Sequence, residues 1–500
     1  MRTPALMFQG TGSDVGKSLI VAGLARLYTR HGLAVRPFKP QNMSNNAAPA
    51  VTDGNGGWGE IGRAQALQAR AAGLTPHTDM NPVLLKPQSD VGAQVVVNGR
   101  VAGNADARAY HAMKPELLDD VVVAYDRLSG TADLMLVEGA GSPAEVNLRT
   151  GDIANMGFAE AADLPVILIG DIERGGVIAA LVGTWTLLSS DERARLGGYI
   201  VNRFRGDPRL FDDALSIIHD HTGMDSLGIL PWLDSARDLP AEDTASLAAR
   251  YEGAGWRTAG VRIAVPRLPR ISNFDDLDPL AAEPDVALRL VEPGEDIPPD
   301  ANLILLCGSK STRDDMQALR AEGWADQIAA AAGRGAQVVG ICGGYQMLGR
   351  RIADPSGIEG APGETPGLGL LDIETMISDT KTLAPVGGIV AETDTAITGF
   401  EMHMGETRGP DTNRPMILLG DAHRPDGAST TDGQVLGTYV HGLFAEDEFR
   451  YRFLKRLNPA HRTDLAWNYR IDVALDRLAD HIEQHVDTAR LLEIARQGVS

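Results

Sequence analysis

An apolar run, Ala5 to Gln9, passes directly into Gly10-Thr11-Gly12-Ser13-Asp14-Val15-Gly16-Lys17-Ser18 and then into a helix-like segment, and this junction constrains the fold more than any other stretch. A strand, a glycine turn and a helix N-terminus in that order gather backbone N–H groups and the positive end of a helix dipole around an anion. The pattern predicts a phosphate loop on a parallel sheet. Gly12, Ser13, Asp14, Val15 and Gly16 would wrap the phosphates of ATP, Lys17 would reach the terminal ones, and the Ser18 hydroxyl would ligate Mg²⁺. The spacing departs from the usual pattern at one place, where Thr11 stands for a glycine and Gly10 comes one position earlier. Thr11 also excludes the ATPases that carry an additional lysine there. Taken alone, the stretch can also be a plain glycine-rich turn entering a helix.

Further residues favour the phosphate loop. Leu134-Met135-Leu136-Val137-Glu138 reads as a buried strand ending in a carboxylate, which would project a second Mg²⁺ ligand, Glu138, from the carboxyl edge of the sheet. Gly139-Ala140-Gly141 then allows the backbone to approach a ligand. After the second strand come Lys39-Pro40 and the amide-rich loop Gln41 to Asn46, near the same crevice. Lys39, Gln41 and Asn42 are the candidates there for contact with a phosphate or carboxylate. An Asn/Ser run of this kind can also be an ordinary loop.

With 500 residues the chain is too long for one ordinary core. From Ala5 to about Pro231, short apolar runs alternate with helix-like stretches, with strands expected at 5–9, 34–38, 134–138, 165–170 and 198–202. The acidic, Ala/Gly-rich stretch 234–260 reads as a linker. A second alternation follows, with strands expected at 261–265, 303–306, 337–341 and 435–440. Beyond Arg450, Ile471, Leu475, Leu478, Ile482 and Val486 recur at helical spacing and mark a core-facing helix. The expected division is therefore 1–235, a linker 236–259, 260–450, and a helical tail 451–500. Composition narrows the function classes. The net charge of -21 argues against a nucleic-acid surface, because phosphate backbones need clustered Lys and Arg. Only Cys307 and Cys342 are present, too few for a disulfide framework or a thiolate metal site, which points to a reducing cytoplasm. No apolar run approaches the roughly 18 residues needed to cross a bilayer. Nor is a signal peptide expected ahead of the glycine-rich loop.

The second chemical feature is Gly340-Ile341-Cys342-Gly343-Gly344. Gln337 to Ile341 reads as a strand and Tyr345 to Arg351 as the start of a helix, which places Cys342 on the sharp turn between them. Such a nucleophile elbow needs glycines around it, since the strained turn leaves no room for side chains and its N–H groups form an oxyanion hole. A helix N-terminus also favours the thiolate form of a cysteine placed there. An isolated cysteine would more simply be a small core residue; Gly340, Gly343 and Gly344 weigh the other way. Among 11 histidines, His441 is the preferred base, because it follows the apolar run 435–440 at a strand end on the same sheet edge. His403 is second choice and reads as structural.

The first half resembles the dethiobiotin synthetase-like branch of P-loop enzymes. Within it, Gly10 to Ser18, Lys39-Pro40, Gly59-Glu60-Ile61-Gly62-Arg63-Ala64-Gln65, Asn81 to Pro87 and Glu138 to Gly141 are similar to the cobyric acid synthase family. Residues from about 260 to 450, including Pro269-Arg270-Ile271-Ser272-Asn273-Phe274, resemble the class I glutamine amidotransferase domain of cobyrinic and cobyric acid synthases. The resemblance implies a flavodoxin-like second α/β domain, a nucleobase contact by Asn202, and Gly308 and Gly343 as oxyanion donors. Two positions depart from it. Leu443 stands where the wider class has the glutamate that orients the histidine, and Cys307 replaces the usual proline before Gly308, making it a rival nucleophile. The implied activity is ATP- and L-glutamine-dependent amidation of four peripheral carboxylates of adenosylcobyrinic acid a,c-diamide, with ammonia passing between the sites by an enclosed route. Cobalt would enter only as part of the corrinoid substrate. Three alternatives remain open at this point: an a,c-diamide synthase, a P-loop regulatory ATPase with an inactive amidotransferase module, or a standalone amidotransferase partner with a structural first domain. Homo-oligomerisation is left open as well.

Overall fold

The computed structural model of the chain describes residues 2–53, 57–88, 92–241, 251 and 255–499. Half of the expected linker 236–259, residues 242–250 and 252–254, lies outside the described residues. The first half is built on a six-stranded sheet in the order Ser226–Pro231, Leu196–Phe204, Val166–Asp171, Ala5–Gly10, Leu134–Glu138, Val35–Phe38. All its pairings are parallel. Its strands are apolar runs because both faces are covered: Leu6 and Phe8 enter one core, Met7 the other. The chain leaves Ala5–Gly10 toward Val35–Phe38 and later winds to the opposite side through Val166–Asp171. This reversal opens a crevice beside Gly10. Phe8 is in register with Glu138, and Asp171 with Asn202, so the phosphate loop, Glu138 and Asn202 share one carboxyl edge.

The late helical stripe closes this same core. Ile471, Leu475, Leu478 and Ile482, on the helix Trp467–His485, pack with Ile20, Val21 and Leu24 on the helix Lys17–Arg30. Gly23 permits the close approach, since a Cβ there would lie 2.4 Å from Ile482 Cδ1. Arg26 pairs with Asp476 at 2.8 Å and Arg70 with Asp472 at 3.0 Å, and Leu491 and Ile494 extend the contact.

The second half holds a sheet in the order Val286–Val291, Val261–Pro266, Leu303–Leu306, Gln337–Ile341, Val435–Thr438, Ala428–Ser429, antiparallel only at the last pairing. Beside it stands a mixed sheet dominated by the hairpin Glu374–Val390 and Ala396–Arg408, whose register shift the sequence pattern did not signal.

Two expectations are corrected. The run 435–440 is not one strand: after Thr438 the chain leaves the parallel sheet, and Val440–His441 pairs with the hairpin, Phe400 opposite His441. The break is held by side chains, with Tyr439 N donating to Asp426 Oδ2 at 3.3 Å and Val440 N to Thr438 Oγ1 at 3.0 Å. The stretch Gln41 to Asn46, expected as a loop, begins with a strand, Gln41–Met43, paired in parallel with Val83–Pro87 in a four-stranded sheet. That sheet meets the second half, where Ala47, Leu84 and Val96 pack against Phe400 and Met402. Among the described residues no helix is long and apolar enough to cross a membrane.

Candidate functional site

The phosphate loop turns at Gly16, with φ of 95°, and the helix Lys17–Arg30 starts there. Asn202 Nδ2 donates to the Val15 carbonyl at 2.9 Å, and a Cβ on Gly16 would lie 2.2 Å from that amide, so Asn202 is seated against the loop itself. Ser13 and Asp14 form the exposed tip. Asp14 is held by Arg174 and Arg203, each at 3.1 Å, and Arg203 also reaches Asp171 at 2.9 Å. Lys17 Nζ donates to the carbonyls of Gly12 and Gly141, each at 3.2 Å.

Glu138 is buried at the centre of this edge, and a buried carboxylate survives only with partners around it. Ser18 Oγ donates to its Oε1 at 2.7 Å, and Lys39 Nζ pairs with the same oxygen at 2.8 Å. Gln68 and Gln65 donate to Oε2 at 2.6 and 3.4 Å. A hydroxyl and a carboxylate in contact offer the hard oxygens that Mg²⁺ takes. Nearby carboxamide oxygens, on Gln68 and Asn155, are buried without a hydrogen-bond partner among the described residues. Of the three expected anion contacts, Lys39 joins Glu138 directly and Asn42 joins through Gln65, whose Oε1 accepts from Asn42 Nδ2 at 2.8 Å. Gln41 is directed elsewhere, accepting from the Tyr110 hydroxyl at 2.6 Å.

Cys342 adopts φ 53° and ψ −108°, a conformation non-glycine residues avoid, between Gln337–Ile341 and the short helix Gly343–Leu348. Its N–H donates to the Thr438 carbonyl at 2.8 Å. The flanking glycines are required by space: a Cβ on Gly340 would lie 2.5 Å from the Gly344 oxygen, and one on Gly344 2.1 Å from the Leu306 oxygen. The His441 ring lines one cavity with Cys342. It stacks on Phe400 with ring centres 5.2 Å apart.

The group that orients His441 is Asp276. His441 Nδ1 and Asp276 Oδ2 lie 2.7 Å apart, and the Gly442 N–H donates to Asp276 Oδ1 at 2.6 Å. Burial works against a charged imidazole, but the Asp276 carboxylate, aided by Cys342, overcomes it and pushes the His441 pKa up to about 10. Sequence reasoning missed Asp276. The available signals were Leu443 in the usual glutamate position and the acidic pair that follows Asn273-Phe274. Gly308 and Gly343 border the site: a Cβ on Gly308 would lie 3.0 Å from His441 Cε1, and one on Gly343 2.7 Å from Ser309 N. Cys307 is buried in the core, where burial and then Asp276 and Asp275 push its thiol well up, leaving it a protonated thiol. His403 lines the same cavity but stacks on Tyr439, ring centres 3.7 Å apart.

The two clusters are joined through one helix. Arg63, the first residue of Arg63–Ala71, forms an ion pair with Asp275, the neighbour of Asp276, while Gln65 and Gln68 on the same helix reach Glu138. Asn273 N donates to Asn46 Oδ1 at 2.7 Å, and Ala47 N to Asn273 Oδ1 at 3.3 Å.

Two family descriptions match this chain. The CobQ/CobB/MinD/ParA nucleotide binding domain matches residues 6–247, and the CobB/CobQ-like glutamine amidotransferase domain matches residues 262–449. A cobyric acid synthase of Bradyrhizobium diazoefficiens is 57% identical over 98% of this chain and 99% of its own length. One of Methylorubrum populi is 57% identical over 99% of each. Another, of Cereibacter sphaeroides, is 54% identical over 99% of this chain and 100% of its own length. With the nucleotide-binding and amidotransferase halves matched in this order and relatives similar over almost their full length, the chain belongs to the cobyric acid synthase family.

Proposed function

We propose that the chain amidates four peripheral carboxylates of adenosylcobyrinic acid a,c-diamide to give adenosylcobyric acid, using ATP and the side-chain nitrogen of L-glutamine, in the cytoplasm. The functional units are 1–235 and 260–450, joined by 236–259, with 451–500 as a helical addition. The observation that carries the reading is Cys342 on a strained turn, paired with a His441 that Asp276 keeps protonated at neutral pH. The Cys342 thiolate attacks the glutamine carboxamide carbon, with Gly308 and Gly343 as oxyanion donors. His441 gives its proton to the departing nitrogen as the C–N bond breaks, and ammonia leaves. Neutral His441 then takes a proton from water, which hydrolyses the glutamyl thioester to glutamate and restores the pair.

In the other half, Lys17 and the amides of Gly12 to Gly16 hold the phosphates while Asn202 lies beside the nucleobase. Mg²⁺, held by Ser18 and Glu138, would neutralise phosphate charge as the γ-phosphoryl passes to a substrate carboxylate. Lys39 and Asn42 stand at that edge to meet the carboxylate. Ammonia then displaces phosphate from the acyl phosphate to form the amide. Because ammonia must stay unprotonated to react, its path runs through the junction crossed by Arg63 and Asp275, away from bulk water. The test is turnover of the a,c-diamide with ATP and glutamine, followed by mass: a gain of four amides supports the reading. Amidation of cobyrinic acid at two positions instead would make the chain an a,c-diamide synthase.

A further inference from the structure

The cavity at Cys342 is not made by the amidotransferase half alone. Lys86, from the strand Val83–Pro87 of the first half, lines it together with Lys310, Lys381, Glu359 and His441. Met402 ties Lys86 to the nucleophile: its thioether accepts from Lys86 Nζ at 3.8 Å, and its carbonyl accepts from Cys342 Sγ at 3.5 Å. Lys86 is paired with Glu60 at 2.8 Å, and Lys381 is paired with the other oxygen of the same carboxylate. Glu60 and Lys86 are both buried. Burial pushes the Lys381 pKa down, Glu60 pulls it up and Lys86 pushes it down again: two amino groups share one carboxylate away from water, and an arriving anion would favour the charged form of both. Lys310 Nζ donates to a neutral group, the Gln94 carboxamide, at 2.8 Å. Among the described lining residues Glu359 is the one carboxylate. Burial pushes Lys310 down to about 7 and Glu359 up to about 7, so the cavity holds lysines and one carboxyl whose charged forms the α-carboxylate and α-ammonium of a free amino acid would favour.

We propose that Lys86 and Lys381 bind the α-carboxylate of glutamine, with Glu359 facing its α-ammonium, so that the glutamine site is completed by the nucleotide-binding half. This rests on the reading of Cys342 as a glutaminase nucleophile and deepens it. The groove of ≈ 390 Å³ that shares Lys381 and Met404 with the cavity, and is walled by Trp58 and Arg100 on one side and Ile358 on the other, gives the amino acid its entrance. The nearest competing role for the excess charge is support of the thiolate, since Lys381 also feels Cys342.

The experiment uses the full chain and two alkylating agents. The diazoketone analogue of glutamine carries the α-amino-acid head; iodoacetamide does not. In Lys86→Met, inactivation by the diazoketone should slow about 10- to 100-fold, the loss expected when a charged hydrogen bond is removed, while iodoacetamide alkylation of Cys342 keeps its rate. A parallel slowing of both reagents, or of neither, overturns the proposal. Should the variant not fold, wild type decides: it should hydrolyse glutamine in preference to glutaminamide, whose head lacks the carboxylate, by about 10- to 100-fold in kcat/KM. Equal use of the two overturns it. Failure of the diazoketone to label Cys342 in wild type would remove the glutaminase reading itself, whereas labelling without the Lys86 effect removes only this inference.

Discussion

The two chemical sites of this molecule are made in opposite ways. At the phosphate loop, the residues that matter lie in a short contiguous stretch and at the ends of neighbouring parallel strands, and they are bonded to one another: Ser18 and Lys39 to Glu138, Lys17 to Gly12 and Gly141. At Cys342, the groups proposed as nucleophile, base and orienting carboxylate come from remote stretches, and His441 and Asp276 already stand 2.7 Å apart. The first site must exchange internal hydrogen bonds for ligand contacts. The second is poised before any ligand arrives, and its strain is stored in one residue's backbone.

The sharpest way to break this contrast is to remove one key residue from each site and supply two nitrogen sources. Cys342→Ala should lose glutamine-dependent amidation but keep amidation driven by ammonium salts, whereas Lys17→Ala should lose both, by about 10³-fold or more. Product mass with each nitrogen source checks this, and glutamine use by Cys342→Ala would remove the assigned nucleophile.

A smaller but still large effect is expected at Asp276. Asp276→Asn should lower glutamine-dependent turnover by about 10³- to 10⁴-fold, as loss of the orienting carboxylate does in comparable triads. Burial would then act on His441 against Cys342 alone and push its pKa down, so that alkylation of Cys342 at neutral pH slows. A neutral-pH alkylation rate equal to wild type would show that some other group holds the imidazole.

Legibility followed the same contrast. Gly10 to Ser18 and Gly340 to Gly344 could be read because their geometry demands particular residues at adjacent positions, above all glycine where a Cβ would strike backbone. Glu138 and His441 were found at strand ends, where a parallel sheet presents its chemistry. Asp276 could not be found that way: it lies 165 residues from His441, on a 3₁₀ turn with no strand pattern of its own. The same holds for Arg63 and Lys86, whose partners Asp275 and Met402 lie in the other half, and for Gln65 and Gln68, which reach Glu138 from a helix rather than a strand end. The long hairpin 374–408 was also missed, because its strands are half exposed and carry little apolar alternation. The late helix was legible as core-facing from its spacing, but spacing does not say which core.

That helix supplies the next prediction. Leu475 is fully buried against the first half, so Leu475→Ala should cost about 2–5 kcal/mol in the stability of that half, read by denaturant unfolding with a nucleotide-site probe. If a probe in the amidotransferase half shifts equally, the two units unfold together.

The last effect concerns pH. His441 stands at about 10 against an ordinary value of 6.5, so its ion pair stabilises the fold fully below about pH 6.5 and this contribution is lost as pH rises through about 10. Thermal unfolding of wild type should therefore weaken over that window, and Asp276→Asn should show a flatter profile there. A wild-type curve no steeper than the variant's would overturn the charge assignment.

The return of residues 467–497 to the first core also has a consequence for how the molecule is made. The opening strand and helix, 5–30, emerge early from the ribosome, but the surface that covers Ile20 and Leu24 is synthesised more than 400 positions later. The amidotransferase sheet, contiguous from 261 to 438, can assemble in the interval. The nucleotide half must meanwhile wait with an apolar face uncovered, which makes it the part of the nascent chain most exposed to aggregation and most in need of a chaperone.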